Sequence, residues 1–349
     1  MTAVIPSLSA ISTQSGKGKK ASADRRNDPD GSGSRIVPFM YCQYTYNMVG
    51  VIKVKTEVLR MLKETDDYLS GQEICERLNV SRTAVWKAIN QLKEAGYEIE
   101  AVQNKGYRLV SVPDILSESE LQSVRKTRWI GEKIAFFDVV DSTNTRAKQL
   151  AEEGAPNGTY VIAERQDAGK GRRGRGFDSP AGQGIWMTLV LKPEIDRNHA
   201  SMITLVTALA VSKAITDMTG RPAGIKWPND IIMSGKKVCG ILTEMSAQFD
   251  YVNHIVVGIG INVQNKSFPK DIESVATSLF IETKEHYHRA ELVERIWEAF
   301  EHYYEIFLQT EDLSGLVNEY NSHLVNMHQQ VKVLDPKEPF EGKAMGITP

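Results

Sequence analysis

Ser70-Gly-Gln-Glu-Ile-Cys-Glu-Arg-Leu-Asn79-Val-Ser81-Arg-Thr-Ala-Val-Trp-Lys-Ala-Ile-Asn-Gln-Leu-Lys-Glu-Ala-Gly96 reads as two short helices with almost nothing between them. Ser70 is a candidate N-cap, and Glu73 three residues on completes a capping-box pattern. Ile74 and Leu78 make the buried stripe of the first helix, Asn79 closes it, and Ser81 caps the next. Val85, Ile89 and Leu92 then fall on one helical face, and Gly96 ends the run.

Upstream, Val54, Val58, Leu59 and Leu62 have helical spacing from Lys53, with a turn at Thr65-Asp-Asp67. Downstream, Tyr97–Val102 and Tyr107–Val110 alternate as two strands around the hairpin turn Asn104-Lys-Gly106. Three helices and a hairpin in this order predict a winged helix-turn-helix over residues 53–112. Its second tight-turn helix would be the reader of the DNA major groove. The outward residues of that helix are Ser81, Arg82, Thr83, Trp86, Lys87 and Asn90, and the wing offers Lys105 to phosphate. A small helical domain used for protein contact is the alternative. The tight Asn79-Val-Ser81 junction and the polar donors on one face favour DNA.

The 349 residues are 41% hydrophobic and 25% charged, ordinary values that leave room for two or three domains. A net charge of −2 supplies no global pull on nucleic acid, so DNA binding must use a local basic face. The three cysteines, Cys42, Cys75 and Cys239, form no CxxC pair, which excludes a zinc or disulfide framework and makes a reducing, cytoplasmic compartment the default. No run approaches the ~20 apolar residues of a membrane span, so no membrane partner is expected. Residues 1–50 are expected to be disordered or a spurious extension, with a native start near Met48.

After a linker from Pro113 to Ser119, strands and helices alternate. Strands are expected at Ile134–Phe137, Tyr160–Ala163, Ile185–Leu191, Gly224-Ile225, Val238–Met245 and His254–Gly260. Helices are expected at Ala200–Met218, Arg289–Leu308 and Leu313–Leu324. The prediction is an α+β chain with a mixed-sheet α/β domain over 113–326. After Met327, Gln330–Leu334 and Phe340–Met345 look like two strands of a small barrel.

The chemistry concentrates in a few segments. Gly169-Lys-Gly-Arg-Arg-Gly-Arg-Gly176 holds four glycines and four cations in eight residues. Glycines let backbone N–H groups turn toward an anion and the cations supply charge, which suits a polyphosphate or acyl-phosphate. It lacks the Walker A order. On composition alone, an RNA-binding or merely solvated basic loop fits equally well. Gly224-Ile-Lys-Trp-Pro-Asn-Asp230 places Lys226 where it can meet a carboxylate or phosphate, while Asn229 and Asp230 read as turn formers. The glycines of Gly240-Ile-Leu-Thr-Glu244 and Gly258-Ile-Gly-Ile-Asn262 suggest close backbone approach. Asp141-Ser-Thr-Asn144 sits where a strand meets a helix. Capping explains one of its side chains and leaves the others for a small polar ligand.

In their order and rough spacing, these five segments resemble those of the biotin–protein ligases. The chain from about Lys53 onward is similar to the bifunctional bacterial members, ligase and biotin-operon repressor in one. The resemblance implies a catalytic domain of the class II synthetase/biotin–lipoate ligase type and a C-terminal SH3-like barrel. Residues 327–349 would be a truncated half of that barrel and leave the chain less stable or less active than one with the whole of it. The implied reaction joins biotin to ATP as biotinyl-5′-AMP, with Mg²⁺ on the pyrophosphate. A lysine of a biotin carboxyl carrier protein, from acetyl-CoA carboxylase or a related carboxylase, then receives the biotin.

By the resemblance, the biotin site is Ser142, Thr143, Asn144, Gln166, Lys170, Gly171, Arg172 and Lys226, with Lys226, Arg172 and Lys170 catalytic. Arg173, Arg175, Phe177 and Asn262 fall to ATP or the adenylate, and Trp186 or Phe177 is expected to cover the apolar parts of the ligand. No protein metal site is expected. Operator DNA and a homodimer formed on adenylate binding are the implied partners. The basic loop is expected to be disordered when empty, and its closing would also prepare the dimer surface. Two departures stand out: Lys170 replaces an Arg of some members, a point charge for a fork, and Phe177 replaces a common Trp. A regulator that has lost catalysis and a lipoate or octanoyl transferase are the competing functions. The intact Lys226 and basic loop oppose the first, and that loop with the fused winged helix opposes the second.

Overall fold

The computed structural model describes residues 53–248, 251–333 and 338–349. The expectations for residues 1–50 lie outside the described residues. At the N-terminal end of the described chain, α1 (53–63), α2 (Gly71–Leu78) and α3 (Arg82–Glu94) enclose a small core. Val58, Leu59, Leu62, Ile74, Val85, Ile89 and Leu92 meet there, joined by Tyr97 and Ile99. The caps form as their residue types require. Ser70 Oγ accepts from Glu73 N at 3.0 Å and Ser81 Oγ from Ala84 N at 3.2 Å, while Asn79 turns left-handed at φ 52°.

The wing pairs β1 (Glu98–Val102) with β2 (Gly106–Ser111). Leu69 adds a third rung, exchanging backbone hydrogen bonds of 2.8 and 2.9 Å with Tyr107. Gly106, at φ 117°, must be glycine, since a Cβ would run into the Leu69 carbonyl. Helix α4 (Glu118–Val124) follows the linker and ties this domain to the next. Lys63 and the Tyr97 hydroxyl both donate to Glu120, and Arg60 donates to the Gln122 carbonyl at 2.7 Å.

The following domain is built on β3 (Ile134–Val140), β4 (Tyr160–Gln166), β5 (Gly184–Leu191), β6 (Gly224–Lys226), β7 (Asp230–Met233), β8 (Lys236–Gln248) and β9 (Tyr251–Asn262). Their order in the sheet is β3-β4-β5-β9-β8-β7-β6, with only β3 and β4 parallel. Strand β7 has no counterpart among the expected strands. Four residues are too few to show alternation, and the turn-forming pair at its head masks it.

One face of the sheet carries the main core, closed by α6 (Ile203–Thr219) and α8 (Arg289–Thr310). Helix α7 (Leu279–Thr283) and α9 (Val317–His323) complete the domain. Residues Arg197–Thr219 form one helical run that by length and composition could cross a membrane, contrary to the reading that no run approaches that length. The run is a core element: Val206, Leu209, Ala210 and Ile215 are among its buried residues, because sheet and α8 cover it from both sides.

Helix α5 (Thr143–Glu152) lies on the opposite face, where Ala147 and Ala151 pack on Val161, Val190 and Val256. Side chains on one strand face recur every second residue. Beyond Val256 that face is continued by Gly258 and Gly260, which have none. The covered core therefore gives way to an open trough beside the first turn of α5. At the C-terminal end, β10 (Gln330–Val333) and β11 (Phe340–Lys343) form a two-stranded antiparallel sheet.

Candidate ligand trough and reading helix

The trough is lined by Ser142, Thr143, Asn144, Gln166, Lys170, Gly171, Arg172, Phe177 and Asn229, and by Lys237, Gly240, Leu242, Gly258 and Gly260 of the sheet. Seven of the eight residues expected at the biotin site are thus brought together. Ser142, Thr143 and Asn144 are 1%, 3% and 5% exposed. Ser142 sits at the N-cap position of α5 but makes no capping hydrogen bond. Capping therefore accounts for none of these side chains.

Their polar groups are wired together. The Thr143 N–H and hydroxyl donate to Gln166 Oε1 at 2.8 and 3.0 Å, and Gln166 Nε2 donates to Ser179 Oγ at 2.8 Å. The Thr188 hydroxyl donates to Asn144 Oδ1 at 2.7 Å. Asn144 Nδ2 donates to Glu244 Oε2 at 2.9 Å and to the Leu242 carbonyl at 3.2 Å. Burial opposes ionisation of Glu244, but hydrogen bonds from Lys148 and Asn144 and the charge of Lys170 outweigh it and hold the carboxyl below its usual range. Gly258 leaves the space that Asn144 uses, for a Cβ there would collide with Asn144 Oδ1.

Toward the other end, Phe177 lies over the second glycine row. A Cβ on Gly260 would stand 2.7 Å from Phe177 Cε1. The cations gather here and along the rim. Arg172 donates to Asn229 Oδ1 at 2.7 Å, Lys170 to Thr145 Oγ1 at 3.0 Å, and Lys237 to Asp230 at 2.6 Å. The arrangement is a cleft with neutral donors and acceptors, backed by the Lys148–Glu244 ion pair, at one end and positive charge at the other.

The basic loop, expected to have no order of its own, is a closed hairpin. Gly171 N donates to Arg175 O at 2.7 Å, Phe177 N donates to Gly169 O at 2.9 Å, and Arg173 turns left-handed at φ 58°. Its backbone satisfies itself while its cationic side chains stay in solvent, which relieves their repulsion.

Four expected residues are placed away from the trough lining. Arg173 and Arg175 are exposed on the hairpin. Asn262 is buried beyond the trough, where Nδ2 donates to the Thr277 carbonyl at 3.0 Å. Lys226 stands two strands out from Gly240, in the row Lys226–Asp230–Gly240–Gly260, so its side chain shares the trough face without lining it. Trp186 does not cover the ligand space. It is fully buried behind Phe177, edge-on at 5.8 Å, and donates to the Pro180 carbonyl at 3.1 Å. An indole bonded to the backbone belongs to the core rather than to the wall. Sequence reasoning missed Thr188, Asn229 and Lys237. Lys237 lies three residues before the Gly240 motif, which is the one signal that pointed to it.

In the winged domain, Arg82, Thr83, Trp86 and Lys87 are exposed on α3, with Trp86 at 58%. Asn90 is half-buried, Ser81 spends its hydroxyl on the cap, and Arg82 donates to Gln72 Oε1 at 2.9 Å. Lys105 is exposed at the wing tip, 5.5 Å from the Tyr68 ring centre. Reading helix and wing thus present separate cationic groups, as groove and phosphate contacts require.

The biotin/lipoate A/B protein ligase family model matches residues 136–262, and a helix-turn-helix domain model matches 55–108. The chain is 41% identical over 284 residues to the bifunctional ligase/repressor BirA of Bacillus subtilis, covering 81% of this chain and 87% of that protein. It is 30% identical over 197 residues to the bifunctional ligase/repressor BirA of Escherichia coli, covering 56% and 60%. A biotin protein ligase from Aquifex aeolicus, solved in complex with biotin and ATP, superposes with a TM-score of 0.55 at 30% identity, over 62% of this chain and 88% of that one. The chain belongs to the biotin protein ligase family, among the bifunctional ligase/repressors.

Proposed function

We propose that this chain is an ATP-dependent biotin ligase and, through its winged helix, a biotin-responsive DNA-binding repressor. The observation that carries the reading is the polarity of the trough: neutral hydrogen-bonding groups at Asn144, cations at the Phe177 end, and a glycine-cleared floor between them.

Ser142, Thr143, Asn144 and Gln166 match the donors and acceptors of a ureido ring, and Phe177 covers apolar atoms. The carboxylate then lies at the cationic end. One of its oxygens attacks the α-phosphorus of ATP, the bond to the β-phosphate breaks, and pyrophosphate leaves with its electron pair. Lys170 and Arg172 offset the repulsion between two anions and stabilise the charge that builds on the phosphate. Lys226, from its outer row on the sheet, and Arg173 and Arg175, on the exposed hairpin, serve the nucleotide as it extends outward, while the buried Asn262 backs that end through its bond to the Thr277 carbonyl. In the second step a carrier lysine amine attacks the acyl carbon, AMP departs, and the amine loses a proton.

Among the described residues, no three acidic, histidine or cysteine side chains converge on a metal site. Magnesium enters with the nucleotide as MgATP, held by its phosphates.

In this reading residues 53–112 bind DNA, 113–326 catalyse, and 327–349 contribute SH3-like strands. Adenylate binding favours a homodimer, which presents two reading helices to operator half-sites. The carrier is a biotin carboxyl carrier protein. A cytoplasmic setting accords with the free Cys75 and Cys239 thiols.

The decisive assay supplies MgATP with biotin or with lipoate and follows pyrophosphate. Release on biotin alone is expected, and release on lipoate alone would overturn the reading. Operator binding by the full chain should tighten when biotin and MgATP are both present.

A further inference from the structure

We propose that Lys237 is a phosphate-binding residue of the trough, kept in position by Asp230 until the nucleotide arrives. The proposal rests on the biotinyl-adenylate reading above. Lys237 Nζ donates to Asp230 Oδ1 at 2.6 Å and stands 6.0 Å from the centre of the Phe177 ring. It lines the trough together with Arg172 and Asn229. Gly240 makes this possible: a Cβ there would lie 2.8 Å from the ammonium nitrogen, so the missing side chain lets the lysine lie across β8 toward the ring.

The trough has a direction that puts this ammonium group at the reacting end. Asn144 sits over Gly258 and Phe177 over Gly260, two residues further along β9, about 7 Å away. A ligand whose neutral ring occupies the Asn144 end carries its carboxylate to the Gly240–Gly260 row. There the carboxylate must meet a phosphate, and there Lys237 and Arg172 stand. Of the neighbouring lysines, Lys148 is engaged toward the other end with Glu244 at 2.6 Å, and Lys170 on the rim with Thr145 at 3.0 Å. The pair with Asp230 is partly open to solvent, so exchanging it for a phosphate costs little. The phosphate, with more charge and less water around it, makes the stronger bond.

The test uses the full chain and separates nucleotide from biotin. Biotin binding is measured by calorimetry without nucleotide, and the KM for MgATP by pyrophosphate release at saturating biotin. Lys237→Gln should raise that KM about tenfold or more and weaken the biotin Kd by a clearly smaller factor. Lys237→Arg should recover most of the loss, and Gly240→Ala, which displaces the lysine, should reproduce it. The double variant Lys237→Gln/Asp230→Asn should stay impaired. Its recovery would mean that an unpaired Asp230, and not a lost phosphate contact, caused the effect, and would overturn the proposal. An unchanged MgATP KM in a folded Lys237→Gln would do the same, as would a loss lying wholly in biotin affinity. If wild type releases no pyrophosphate with biotin, the ligase reading and this proposal fall together. Turnover by wild type with an indifferent Lys237→Gln removes the proposal alone.

Discussion

The reading helix and the ligand trough both gather polar side chains for recognition, but they stand differently toward their cores. On α3 the working face is exposed and the buried face is separate, with Val85, Ile89 and Leu92 inward and Arg82, Thr83 and Lys87 outward. At the Asn144 end of the trough the working groups Thr143 and Asn144 are themselves buried, and each is held by a neighbour that also builds the domain. Function and stability are therefore separable on the helix and joined in the trough.

Gly258→Ala is the harshest test of that contrast. Its Cβ would displace Asn144, which makes three hydrogen bonds from its buried place. A displacement near 1 Å at a reacting site costs about a hundredfold. Biotin-dependent pyrophosphate release should fall by at least that factor, and the unfolding midpoint should drop as well. A fast, stable Gly258→Ala would break the comparison.

A second effect tests what burial does to charge away from the trough. Burial raises the Glu294 carboxyl on α8 from 4.5 to about 7, although the Lys126 N–H donates to it. The folded state thus holds a proton more tightly than the unfolded chain does. The stability this contributes is fully present below pH 4.5 and is lost as pH rises through 7. Between pH 5 and pH 8 wild type should lose on the order of 2 kcal/mol relative to Glu294→Gln, read as the difference between two urea-unfolding series. Parallel pH dependences would show that Glu294 titrates normally.

Thr188→Val removes the hydroxyl that orients Asn144 and keeps the shape. It should weaken biotin binding by about tenfold, the worth of one buried hydrogen bond with its partner left unmet, and calorimetry reads it directly. Unaltered affinity would mean that Glu244 and the Leu242 carbonyl suffice to position Asn144.

The smallest expected effect belongs to the helix. Lys87→Ala should lower affinity for the operator about fivefold more than affinity for unrelated sequences, and the difference should persist as salt is raised. The melting temperature should not move, because surface changes of this kind stay within about 0.5 kcal/mol. Fluorescence anisotropy at several salt concentrations tests the first part. A large stability loss would show that the reading face is not independent of its core.

Legibility follows the same division. The winged helix was readable because its signals are local: caps at Ser70 and Ser81, a stripe at helical spacing, and a turn at Asn104–Gly106. The chemistry of the trough was readable from Gly169–Gly176 and Asp141–Asn144, since residue type alone announces charge and hydrogen bonding. Its geometry was not. Nothing in residues 184–191 tells that Thr188 reaches Asn144 while Trp186 backs Phe177. That depends on which strands become neighbours.

Sequence by itself determined the helices of the winged domain and their caps, the order of the two domains and the kinds of groups that meet a ligand, because each depends on residues a few positions apart. Tertiary structure decided that β8 and β9 lie side by side. Only that pairing sets Gly240 against Gly260, clears the floor beneath Asn144 and Phe177, and brings Lys237 into the trough while leaving Lys226 two strands away. Strand pairing joins residues far apart in the chain, and no local pattern encodes it.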